Sequence, residues 1–103
     1  DNLLTNAAGE PIIKVTKTTI KGHPNTITQR TNSRGGIDRN YYGADGLQVK
    51  QISNNGHGNK VEEAYGVHGE HAHDYTVNEN GVPVHGPSRE LTDKERKENE
   101  DFL

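Results

Sequence analysis

The chain has 103 residues, 27% of them hydrophobic, with no Cys, Met or Trp and a formal net charge of −3 at pH 7. That length fits one domain with a modest core resting on Ile, Val, Leu and Tyr. The missing Cys excludes disulfides and thiolate metal sites, and no apolar run approaches the roughly 20 residues that a membrane-spanning helix needs.

Residues 1–11 read as a linker remnant, because Asn2, Asn6, Gly9 and Pro11 surround little that packs. Residues 12–103 read as a single domain. The lack of Met and of a charged-then-apolar leader suggests a piece of a longer polypeptide. The β-branched run Ile12–Ile20 predicts a strand. Gly22, His23, Pro24 and Asn25 predict a turn, and Thr26–Thr31 a second strand in a hairpin with the first. Asn32–Gly36 breaks the pattern before a third strand, Asp38–Tyr42. Asp45-Gly46 is a hairpin signal, and Leu47–Ile52 the return strand. There Leu47 and Val49 alternate with polar residues, so one face is expected buried and the other wet. Ile52 falls off that parity, as at a bulge or a strand end. Residues 53–70 read as loop, with a short helical turn at Glu62–Tyr65. Ala72–Val77 is the next strand. Asn80-Gly81 turns it into Val82–Val84, and Pro83 places that strand at an edge. Thr92 and Glu95 form a capping-box pattern that opens a surface helix over about 93–101. These elements predict an α+β fold: a small twisted antiparallel sheet of about five short strands with a C-terminal surface helix.

The charge is unevenly distributed. Residues 11–60 carry eight Lys and Arg against Asp38 and Asp45, whereas residues 61–103 carry eleven acids against four bases. A basic first half suggests an anion-binding face, with nucleic acid as the natural partner. Charge blocks also arise where two halves simply pair with each other.

Chemistry concentrates in the histidines. Four of the six, His57, His68, His71 and His73, fall within seventeen residues. No nucleophile elbow, phosphate-binding loop or dinucleotide fingerprint is present. On a strand, His71 and His73 share one face and Asp74 takes the other. Two imidazoles suit general base and general acid work. RNA cleavage needs little more, since RNA brings its own 2′-hydroxyl nucleophile and a cation can stabilise the phosphorane. Lys60, Arg30, Arg39 and Lys50 are candidates for that cation, and Tyr41 or Tyr42 for stacking on a base. Two alternatives stand beside this: a metal site from His68, His71 and His73 with His57 or Asp74, and surface histidines without a common role. His23 and His85 read as turn residues.

The stretch from Arg39 through Tyr41, Asp45-Gly46, Lys50 and Ile52 to His57-Gly58 and His71-Ala72-His73-Asp74-Tyr75 resembles a known pattern. It is similar to the C-terminal toxin-like domains of bacterial polymorphic toxins, of the Rhs and contact-dependent-inhibition types, which also occur on prophage proteins. Tyr75 stands where that pattern often has Trp, and the His57–His71 spacing is longer, with His68 inside it. The resemblance implies a metal-independent ribonuclease of the barnase–EndoU–colicin–RelE type. It implies Arg39, His57, His71 and His73 as site residues, a cognate immunity protein as partner, and delivery from a secreted or phage-associated protein into a target-cell cytoplasm.

The resulting expectation is acid/base catalysis shared by His57 and His73. His71, Arg39 and Lys60 would hold the phosphate, and Arg30, Tyr41 and Lys50 would bind substrate. No cofactor, no membrane contact and a monomer are expected, with RNA as partner. The competing expectation is a non-enzymatic accessory domain of a phage or surface protein, whose histidines would lie on different faces.

Overall fold

Two glycines in left-handed backbone set the main hairpins: Gly46 at φ 79° and Gly81 at φ 75°. Side chains disfavour that region, so Asp-Gly and Asn-Gly end one strand and start the next. The structure, a computed structural model, describes residues 4–56 and 65–103. The strands are β1 Leu4–Thr5, β2 Pro11–Lys14, β3 Ile27–Thr31, β4 Ile37–Tyr42, β5 Gln48–Ser53, β6 His71–Val77 and β7 Pro83–Arg89, followed by the helix α1 Asp93–Glu98. They form one seven-stranded sheet in sequence order. Among the described residues no helix is long and apolar enough to cross a membrane.

This architecture corrects the expected five-stranded antiparallel α+β fold. The molecule is mostly β, and its sheet is mixed, because β2 and β3 run parallel. The expected Ile12–Ile20 strand stops at Lys14. After it the chain turns away, and Lys21 bridges to Leu47, beside the start of β5. Ile20 O accepts from Gln48 N, and Gly46 O from Gly22 N. The Gly22–Asn25 turn therefore returns the chain from β5 to β3, not from β2. Residues 4–11, expected as linker, form a hairpin whose Ala7 N donates to Glu98 O at 2.9 Å. Pro83 does sit in an edge strand.

The two faces of the sheet differ sharply. Ladder partners share a face, so Gln29, Arg39, Ile52, Ala72 and Arg89 point to one side. There Ile52, Ala72 and Leu91 make a small apolar core, with Tyr41, Phe102 and Leu103 packed against it. The capping box at Thr92 and Glu95 is formed. The helix is not merely a surface helix, since it buries Glu95 and Asn99 against this face. Asn99 Oδ1 accepts from Arg39 at 3.0 Å, and Glu95 pairs with Lys50 at 2.9 Å and Arg89 at 2.8 Å. The polar side chains facing the sheet explain why the helix shows so thin an apolar stripe in sequence.

Candidate functional site

The opposite face is polar almost throughout, yet largely buried. One row across it runs Asp38, Ser53, His71, and the next runs Asn40, Gln51, His73, Ser88. Asn40, Ser53 and His71 are fully buried, and His73 is 5% exposed. Buried amides and hydroxyls are costly unless bonded, and these are interlocked. Ser53 Oγ donates to Asp38 Oδ1 at 2.6 Å. Gln48 and Gln51 both donate to Asn40 Oδ1, at 2.9 and 2.8 Å. Asn40 Nδ2 donates to Thr18 Oγ1 at 3.3 Å. A satisfied network of this kind rigidifies and specifies the interior. Sequences depart from an apolar interior in this way mainly at functional sites.

Three imidazoles line this face in order of depth. The rings of His71 and His73 meet edge-on at 5.0 Å, and those of His73 and His85 overlap at 3.9 Å with 35° between planes. His85 is exposed, and Tyr75 meets its ring at 5.4 Å. His71 Nδ1 lies 2.8 Å from Gly69 O, and His73 Nδ1 lies 2.9 Å from Gly86 O. A carbonyl only accepts, so each Nδ1 carries a proton. Nε2 is the other ring nitrogen of each, and His73 Nε2 lies 3.5 Å from Ser88 Oγ.

A register shift between His73 and Tyr75 builds this arrangement. It sets His73 opposite Ser88 and Tyr75 opposite His85, with Gly86 between. A Cβ at Gly86 would lie 2.6 Å from Asp74 O. Only glycine lets the backbones approach closely enough there for the Gly86 carbonyl to hold His73.

The expected site residues divide between the two faces. His71 and His73 come together as expected. Arg39 does not join them: it lies on the helix side, 1% exposed, with Asp101 Oδ2 at 2.6 Å, Gln29 and Asn99 at 3.0 Å, and Phe102 against its guanidinium at 4.2 Å. Tyr41 and Lys50 are also on that side. Lys50 Nζ sits 4.5 Å over the Tyr41 ring, and burial pushes the Tyr41 hydroxyl pKa up against the opposing effect of its Asn99 hydrogen bond. These placements correct the expectation that Arg39, Tyr41 and Lys50 contact substrate beside the histidines. Arg30 is on the polar face, half-buried, opposite Asp38. His68 is exposed and faces Glu70 at 3.7 Å. His57 and Lys60, and the helical turn expected at Glu62–Tyr65 except for Tyr65, lie outside the described residues. Among the described residues no group of three or more His, Asp or Glu is arranged to hold a metal ion. The metal set of His68, His71 and His73 is therefore not assembled.

Sequence reading missed His85 and Ser88. For His85 the signal was present: once Asn80-Gly81 fixes the hairpin, extending β7 past Pro83 carries His85 up to the β6 histidines.

Charge is segregated in space. Asp101, Asp74 and Glu95 are held below the usual carboxylate range. For Asp101 and Asp74 the main cause is the hydrogen bond from Arg39 and Arg89 respectively. For Glu95, burial acts the other way and is outweighed by bonds from Arg89, the Thr92 backbone and Lys50. The acidic half thus spends much of its charge on Arg39, Lys50, Arg89 and Arg96. Lys14, Lys17, Lys21, Arg30 and Arg34 make no ion pair among the described residues. Comparison with family models, curated proteins and solved structures finds no match to the chain.

Proposed function

We propose that this domain is a metal-independent ribonuclease of the toxin type, and that His73 and His85 are its acid/base pair. The observation that carries this reading is their geometry: two imidazoles 3.9 Å apart, one fixed in tautomer and nearly buried, the other open to solvent. A single phosphodiester on this face spans both. One imidazole takes the proton from the 2′-hydroxyl as its oxygen attacks phosphorus. The other gives a proton to the departing 5′-oxygen. The products are a 2′,3′-cyclic phosphate and a free 5′-hydroxyl, with no water consumed and no metal required.

The remaining residues have supporting roles. His71 packs against His73 and fixes its orientation. Arg30, with Lys17, Lys21 and Arg34, supplies cations for the RNA backbone away from the paired acids. Lys60 keeps its expected role as a phosphate contact, and His57, which the sequence pairs with His73 for acid/base work, is the rival to His85 that mutation separates. The non-enzymatic alternative expects histidines on different faces, and the convergence of His71, His73 and His85 weighs against it.

Inducible expression in a bacterial cytoplasm tests the reading. The expected result is growth arrest with discrete RNA fragments for the wild type and normal growth for His73→Ala. Intact RNA and normal growth with folded wild-type protein would overturn it.

A further inference from the structure

A second feature lies at the end of the histidine rows. A cavity of about 810 Å³ opens between the β3–β4 turn, the end of β5 and the chain's last residues. That volume falls in the range of small-molecule sites, roughly 300–1,000 Å³. Asn54 and Asn55 line it, and they directly follow Ser53, the ladder partner of His71. At about 3.3 Å per strand residue, Asn54 at the cavity lies roughly 10 Å along the strand from Gln51, the ladder partner of His73.

Its walls suit a flat heteroaromatic ring. Phe102 and Leu103 give an apolar surface, with Asn32, Asn55 and Arg34 around it. The Arg39 guanidinium lies 4.2 Å from the centroid of the Phe102 ring and holds that ring from the helix side of the sheet. Its backbone is tied to β5, because Asn54 Nδ2 donates to Phe102 O at 3.2 Å. Asn32 Oδ1 accepts from Arg34 N and Gly36 N, both at 2.9 Å, which fixes the turn. Its Nδ2 donates to no group among the described residues, leaving a hydrogen-bond donor on the wall. A Cβ at Gly36 would lie 2.1 Å from Asn55 Nδ2 and 2.7 Å from Asn32 Nδ2, so glycine leaves room for both amides. Arg34 is exposed, makes no described ion pair, and offers a planar guanidinium for stacking or for an adjacent phosphate. Phosphate recognition alone would not need the aromatic surface.

We infer that this cavity is a nucleobase subsite, which seats one base of a single-stranded RNA whose phosphodiester one or two nucleotides further along lies on His73 and His85. The identity of the ligand rests on the ribonuclease reading. Proteins recognise single-stranded RNA by stacking unpaired bases on aromatic or guanidinium planes and bonding their edges. The cavity supplies both parts, with Phe102 and Arg34 as planes for stacking and the Asn32 amide for a base edge.

The test is an NMR titration of the folded domain with the four nucleoside 3′-monophosphates. Binding is expected to shift the backbone amides of residues 32–36 and 54–55. At least one base should bind about tenfold more tightly than the others. Arg34→Ala and Phe102→Leu, the latter keeping apolar volume without the ring, should each weaken that binding about tenfold. Shifts confined to His73 and His85, or affinities equal for all four bases and unchanged in both variants, would overturn the inference even if RNA is cleaved. Selective binding at the cavity with no RNA cleavage would instead overturn the ribonuclease reading and leave the base site standing.

Discussion

Replacing Arg39 with Ala separates a structural role from a catalytic one. The side chain is 1% exposed and makes two bonds to Asp101, at 2.6 and 3.0 Å, with one each to Gln29 and Asn99 at 3.0 Å. Asp101 is 30% exposed, so water takes over part of what it loses. The bonds to Gln29 and Asn99 are worth about 1 kcal/mol each, and the contact with Phe102 about 1 kcal/mol more. With the lost packing of the stem, a total near 3–4 kcal/mol follows, within the usual cost of removing one partner of a buried pair. At about 4–8 °C per kcal/mol for a chain of this size, the melting temperature should fall by at least roughly 12 °C. Arg39→Lys keeps the charge but cannot span Gln29 and Asp101 together, and should lose about half as much by the same reckoning. Thermal melts by circular dichroism give the stability. RNA cleavage is then compared at a temperature where the variant is folded, and there the rate should match the wild type. An unchanged melting temperature would refute the packing argument. A folded variant without activity would refute the purely structural role given to Arg39.

Acid should destabilise the domain through the paired carboxylates. Asp74, Glu95 and Asp101 have folded-state pKa values below their unfolded ones. Their contribution is therefore fully present above the unfolded value, about 4, and is lost as pH falls through the lower folded values. Urea midpoints should be similar at pH 7 and 5 and drop clearly by pH 3; a flat profile from 7 to 3 would count against the ion pairs. Gly86→Ala places a Cβ 2.6 Å from Asp74 O, which should cost about 1–3 kcal/mol as the bulge shifts. It should also release His73 from the Gly86 carbonyl, so that the His73 ring resonances move and cleavage falls more than the folded fraction does. Unmoved ring signals would dissociate Gly86 from the orientation of His73.

Local turn chemistry was readable in the sequence, whereas long-range pairing and the polar interior were not. Asp45-Gly46, Asn80-Gly81, the Thr92–Glu95 capping box and the edge position of Pro83 all stand as the residues suggest. The off-parity position of Ile52 also has its cause, since the register with β4 shifts between Tyr41 and Tyr42. The parallel β2–β3 pair was hidden because the Gly22–Asn25 turn reads as a hairpin whichever strand precedes it. Burial on β5 was inverted. Val49 is 44% exposed while Gln48 is 1% exposed, because the inner face is the polar one and hydrophobic alternation marks the wrong side. For the same reason Arg39 looked available for catalysis. A cationic residue on a strand reads as solvated unless the acid that buries it, here Asp101 some sixty positions later, is known to be adjacent. The pairing of His71 with His73 followed from strand periodicity and the place of His85 from the Asn80-Gly81 hairpin register, but Ser88 opposite His73 depended on the bulge at Gly86, which no short-range pattern announces.

The central claim is that His73 and His85 together cleave RNA without a metal. It is tested most directly by incubating a short single-stranded RNA with purified wild type, His73→Ala, His85→Ala and His57→Ala in EDTA. The predicted result is cleavage by the wild type to 2′,3′-cyclic phosphate and 5′-hydroxyl ends. His73→Ala and His85→Ala should each lose about 10²–10⁴-fold in rate, the usual worth of a positioned acid or base. Intact RNA with folded wild-type protein, or undiminished cleavage by His85→Ala beside an inactive His57→Ala, would contradict it.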